Sequence, residues 1–241
     1  MGRILVRPHF LTISKMPRNF YRPDFSDYVV HFTKDAAPFS IKREPTKELN
    51  RIADLSASGR LISILTEKRI RATRMPWTNQ PAICFTECTW ASLLDHATHY
   101  SRFGIGFSKA YLFSRGGGPA IYLALGLLEH QKAYAGHNNL PFEPRLFAFM
   151  TPFMPPYAPK DYRDRFWRKT KSVDYTHERE WRVPHDLDFD LEHVEFVIVA
   201  SYSDMARAPK PLKDGIGRDK WLIMDNYARI EHLWPVHRIP D

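Results

Sequence analysis

The sequence predicts an α+β fold, a single domain around a central mixed or antiparallel sheet, and three observations lead there. Short β-branched and aromatic runs such as "YVVHF" and "EFVIVA" are bounded by turn residues, as buried strands are. Strand-like and helix-like segments are interspersed without a regular βαβ period and without a glycine-rich phosphate fingerprint after the first strand. With 241 residues, 44% of them hydrophobic and 14% aromatic, the chain is long enough to bury one sizeable core. The expected organisation is an irregular arm over residues 1–27, rich in Arg, Pro and aromatics, followed by one domain over residues 28–241.

The elements follow in order. "YVVHFTK" from Tyr28 reads as a strand. "ELNRIADLSASGRLISILTEKRI" carries apolar residues at Leu61, Ile62, Ile64 and Leu65, a partial helical stripe interrupted by Gly59. "AICFTE" (residues 82–87) is a second short strand, and "TWASLLDHATHYSRF" a helix for which Thr89 is the candidate N-cap. "GIGFS" and "AIYLAL" read as further strands, separated by a segment ending at Gly116, Gly117 and Gly118. A proline-punctuated aromatic stretch then leads into a basic segment. "EREWRVP" and "HVEFVIVAS" are predicted strands, the second apolar enough for a sheet centre, and "WLIMDNYARIEHLWPVHRIPD" divides into a strand, a helix and a tail.

Composition narrows the function classes. No run approaches the roughly 18 apolar residues of a membrane span, and the first twenty residues lack the apolar core of a secretion signal. The only cysteines, Cys84 and Cys88, form neither a disulfide framework nor a complete zinc set, which points to a reducing cytoplasm. A formal net charge of +8 favours anionic partners, a statement about encounter and not about fold.

The stretch "DYTHEREWRV" carries the first candidate site. Read as one strand, it puts Glu178, Glu180 and Arg182 on one face and Arg179, Trp181 and Val183 on the other. If the Trp181 face is core, the acidic face is solvent or a cleft, and paired carboxylates in a cleft can hold a sugar hydroxyl and stabilise positive charge. Two solvent-facing acids paired with arginines would be the ordinary reading of the same residues. On the first strand, His31 and Thr33 share a face and form a candidate ligand-holding pair; a core histidine anchoring nearby backbone is the structural reading.

Taken together, "DYVVHFTK", "LISILTEKRIRAT", "AICFTE", "YSRFGIGFSKAYLFSRGGGPAIYL", "THEREWRVPHDLDF" and "EHLWPVH" resemble the bacterial AbiGi-like proteins linked to abortive phage resistance, over roughly residues 28–237. The chain also bears a more distant resemblance to the ADP-ribosyltransferase fold, with its split sheet. That resemblance implies a phage-defence effector of the toxin–antitoxin kind, transferring ADP-ribose from NAD to a nucleic acid or protein, with no resident metal. It implies Glu180 as the acid hydrogen-bonded to the nicotinamide-side ribose, Glu178 as the residue positioning the acceptor, and His31 and Thr33 as holders of the cofactor. Ser108 or Tyr122 would be the middle-strand contributor.

Two further readings stand beside it: a metal-independent ribonuclease using His31 and a glutamate, and a non-catalytic defence protein that binds nucleic acid or a cognate partner. Several other motifs bear on the choice. "KDYRDRFWRKTK" mixes six cations with aromatics, so Arg165, Trp167, Arg168, Lys169 and Lys171 are candidates for gripping nucleic acid by charge and stacking. A solvated helix face explains that stretch equally well. Glu87 and Cys88 either line the same cleft or mark a strand end with a solvated acid and a small buried thiol. His96 and His99 lack an acid or cysteine to complete a metal set. The three glycines after Arg115 read as a phosphate cradle or a mobile turn.

Overall fold

A computed structural model describes residues 25–35, 52, 54–87, 101–138, 144–162 and 172–233. The predicted helix with Thr89, together with Cys88, His96, His99 and the basic cluster Arg165, Trp167, Arg168, Lys169 and Lys171, lies outside the described residues.

The chain is α+β, as expected, and its central sheet is mixed. The first strand, β1 (Tyr28–Phe32), is interior, between β4 (Pro81–Thr86) and β5 (Gly104–Ser108), and antiparallel to both. Beyond β4 come β9 (Glu180–Val183) and the two-residue β6 (Gly118–Pro119). On the other side, β11 (Phe196–Val199) pairs antiparallel with β5, and β12 (Trp221–Ile223) pairs parallel with β11. β3 (Thr73–Arg74) adds to β4. Two separate two-stranded pieces complete the strands: β10 (Leu187–Asp188) with β2 (Arg69–Ile70), and the parallel pair β7 (Ile121–Ala124) and β8 (Met150–Phe153).

Both faces of the sheet are covered. The first face presents Val29, Phe85, Phe107, Val183 and Val197 to one hydrophobic core. Helix α1 (Ala57–Glu67) packs there through Leu61 and Leu65, which continue a buried stripe begun four residues earlier by Ala57. The Ser56 side chain caps it by accepting from the Gly59 N–H, and Lys68 ends it in the left-handed conformation. Helix α2 (Lys109–Ser114) adds Leu112. On the second face, Gly106 lies under the Phe196 ring, so closely that a Cβ would meet ring carbons at 2.5 Å.

The first two of the three glycines prove to be a helix stop, and Gly118 opens β6. Gly116 takes φ 78°, its N–H donates to Phe113 O, and the Gly117 N–H donates to Leu112 O at 2.8 Å. That double bond pattern closes α2 as a Schellman motif, so these two amides are engaged by the helix end and not offered to a phosphate.

Helix α2 and three further helical regions were not anticipated. "AIYLAL" is strand only to Ala124, where α3 (Leu125–Asn138) begins, and α4 (Pro144–Phe149) lies inside the proline-punctuated stretch. Two short helices, α5 (Tyr202–Arg207) and α6 (Lys210–Ile216), follow β11, whereas α7 (Met224–Leu233), which closes the described chain, is the helix expected after the last strand. Among the described residues, no helix is long and apolar enough to cross a membrane.

Candidate functional site

The strand expected over the acidic stretch starts late. Thr176–Glu178 form a 3-10 turn, Arg179 adopts φ 44°, and β9 begins only at Glu180. Glu178 is therefore not in register with Glu180; the left-handed residue between them ends the turn and breaks the alternation that would align them.

Glu180 and Arg182 do share a face, and Trp181 and Val183 do pack on the first core. The acidic face, however, is neither solvent nor an open cleft. Arg182 is 0% exposed and Glu180 7% exposed, under a layer made by β7, β8 and the end of α4. Arg182 Nε donates to Glu180 Oε1 at 2.9 Å and its Nη2 to Oε2 at 2.7 Å, a bidentate pair within one strand. Its Nη1 donates to Ala148 O (2.8 Å) and Met150 O (3.0 Å), and Nη2 also reaches Thr151 Oγ1. All five guanidinium N–H groups thus have acceptors.

The geometry follows from local structure. Ala148 lies in the last turn of α4, where carbonyls lack helical partners and carry partial negative charge, so a cation is favoured, and Met150 follows at the start of β8. Burial opposes the Arg182 charge, but the hydrogen bonds and charge of Glu180 outweigh it and hold the guanidinium above its ordinary pKa. The Trp77 ring lies 5.9 Å from the guanidinium carbon, and its Nε1 donates to Met150 O at 2.9 Å. Cys84, directly opposite Arg182 on β4, has its thiol pushed up by burial and by Glu180. Tyr122 donates its hydroxyl to Tyr175 O at 2.9 Å and is pushed up to about 12, first by burial and then by the Glu180 charge.

The other candidates lie elsewhere. Val30 is opposite Thr86, and Thr86 is opposite Glu180, so these three share one face and His31 projects from the other. The His31 ring meets Phe85 edge-on at 5.7 Å, and its Nδ1 lies 2.9 Å from Cys84 O as the donor to that carbonyl. Burial lowers its pKa, the Cys84 carbonyl opposing. Thr33, 3% exposed, bonds Ala57 O at 2.7 Å and ties the end of β1 to the start of α1. Ser108 is the N-cap of α2, accepting from the Tyr111 N–H. His31 and Glu180, the two residues expected to converge, point to opposite sides of the sheet.

Glu87 corrects the picture of a solvated strand end. It is 8% exposed, 2.8 Å from Lys109 Nζ, 3.7 Å from Arg179 Nη1, and accepts from the Ser26 N–H at 3.1 Å. The ammonium of Lys109 in turn stands 3.9 Å over the Phe25 ring. This carboxylate fastens the chain before β1 to the end of β4.

A family model described as "Putative abortive phage resistance protein AbiGi, antitoxin" matches residues 62–207, more than half of the chain. The chain belongs to the AbiGi family. The matched span runs from within α1 to the end of α5 and so contains the Glu180–Arg182 pair and the carbonyls it caps, whereas β1 with His31 and Thr33 precedes it. No curated protein and no solved structure matches the chain. Arg182, Thr151 and the α4 carbonyls were the residues that sequence reasoning missed. The available signal was the two-residue spacing of Glu180 and Arg182, which sets opposite charges side by side on one strand face.

Proposed function

We propose that this AbiGi-family chain serves phage defence as a neutralising, antitoxin-side component, and that it acts by binding a cognate protein partner and not by turning over a substrate. The observation that carries the reading is the state of the best catalytic candidate. Both carboxylate oxygens of Glu180 are bound to a fully buried arginine whose remaining N–H groups hold the end of α4. A carboxylate so held is part of the scaffold, and its supposed cofactor-holding partner, His31, faces away. The family description adds the antitoxin role, and the net charge of +8 favours an acidic surface on the partner.

The test is co-expression of the tagged chain with the toxin of its own defence locus. Co-purification of a stable complex and restored growth are expected, while calorimetry with NAD gives no saturable heat and incubation releases no nicotinamide. Nicotinamide release abolished by Glu180→Gln would instead support the ADP-ribosyltransferase reading. Cleavage of RNA by the purified chain without NAD would support the ribonuclease reading, and binding of nucleic acid without any protein partner would overturn the choice of partner.

A further inference from the structure

The described residues hold one other cluster of chemistry-bearing side chains, on the far side of the first core. Asp190 precedes a 3-10 turn, Leu191–His193, and in a 3-10 helix residues three apart eclipse, which brings Asp190 and His193 to one edge. One ligand atom from each of Asp190, Glu192 and His193 lies within 4.8 Å of the others. Donors bound to one small divalent ion stand about 3–4 Å apart, so small side-chain rotations close the set.

Two independent observations point to a ligand here. Asp190 and His193 line a cavity of about 350 Å³, together with Tyr111, Arg115, Asp188 and Phe189, which leaves room for further ligands on an ion. In addition, Nδ1 of His193 is buried and has no hydrogen-bond partner, a condition that native side chains rarely keep without a reason. The ring itself is held: Tyr111 stacks on it at 4.4 Å and 20°. The turn is held as well, by Leu191 packed within reach of Gly215 on α6 and by fully buried Val194, whose carbonyl accepts from Lys220 Nζ at 2.7 Å. Lys68 Nζ, 3.6 Å from Asp190 Oδ1, is a half-exposed partner of the kind that yields to a stronger cation.

We propose that Asp190, Glu192 and His193 form a site for a divalent transition-metal ion at the edge of this cavity. Two carboxylate oxygens and one imidazole nitrogen suit zinc, manganese or nickel better than magnesium or calcium, which favour all-oxygen sets. Three protein ligands leave positions open toward the cavity, where a water or an anionic group beside Arg115 completes the coordination.

The experiment is titration of Zn²⁺ into the chelator-stripped full chain by calorimetry, with Mg²⁺ as the comparison. One Zn²⁺ per chain is expected, with affinity lowered about tenfold or more in Asp190→Asn/Glu192→Gln and in His193→Ala. His130→Ala, at an exposed histidine on α3, should bind as the parent does. The Asp190→Asn/Glu192→Gln pair changes exposed residues and keeps the test valid if loss of the Tyr111 stack unfolds His193→Ala. Absence of saturable Zn²⁺ binding, unchanged affinity in the carboxamide pair, or loss in His130→Ala alone would overturn the site.

Discussion

Replacing Glu180 by leucine removes the acceptor of two of the five Arg182 N–H bonds while leaving the guanidinium 0% exposed. Breaking a buried ion pair from one side costs about 3–5 kcal/mol, because the surviving charge is left without compensation. In a chain of this size 1 kcal/mol moves the melting midpoint by about 2–4 °C, so Glu180→Leu should melt roughly 6–20 °C below the parent. Adding Arg182→Met removes the stranded charge and refills its volume with an apolar chain. Recovery will be incomplete, since Ala148 O loses its donor, at about 1–3 kcal/mol, whereas Met150 O keeps Trp77 Nε1. The double variant should nevertheless be more stable than Glu180→Leu by about 1–3 kcal/mol, because no buried charge is left stranded in it. Urea unfolding of the four proteins measures the cycle. Glu180→Leu within about 0.5 kcal/mol of the parent, or a double variant no more stable than the single, would refute the reasoning, since changes of that size are typical of surface sites.

Three other outcomes follow from the same structure. His31 has its pKa lowered from 6.5 by burial, so the unfolded chain binds its proton more readily; stability is full above pH 6.5 and falls as pH drops through that value, and His31→Gln should flatten this part of a stability–pH profile. Gly106→Ala drives a methyl into the Phe196 ring, at a cost of about 1–3 kcal/mol that Phe196→Leu should partly relieve in a thermal-melt cycle. Ser201→Ala removes the reciprocal capping box with Asp204 at the start of α5 and should cost about 0.5–2 kcal/mol by urea unfolding.

Much of the sheet was legible in the sequence, because β1, β4, β5 and β11 are short apolar runs whose length and flanking turns admit few alternatives. Helix α1 was legible through the apolar residues Leu61, Ile62, Ile64 and Leu65, of which Leu61 and Leu65 form its buried stripe with Ala57. Helix α3 was not, since its apolar residues follow no single stripe, and α4 hid among prolines that read as loop punctuation. The pairing of acids at 178 and 180 failed because one left-handed residue, Arg179, resets the face that follows it. The burial of Glu180 was not readable locally at all. It depends on β7, β8 and the end of α4, which lie about 30–60 residues earlier and whose carbonyls call for a cation that β9 supplies.

Glu180 serves either the scaffold or a reaction, and the Glu180→Leu/Arg182→Met protein separates the two because it lacks the acid while keeping the fold. The decisive measurement is growth rescue by this variant when co-expressed with the toxin of its own locus, at protein levels matched to the parent. Rescue equal to the parent is predicted, since the acid is buried inside the chain. A folded, partner-bound variant that fails to rescue would contradict the account and return Glu180 to chemistry.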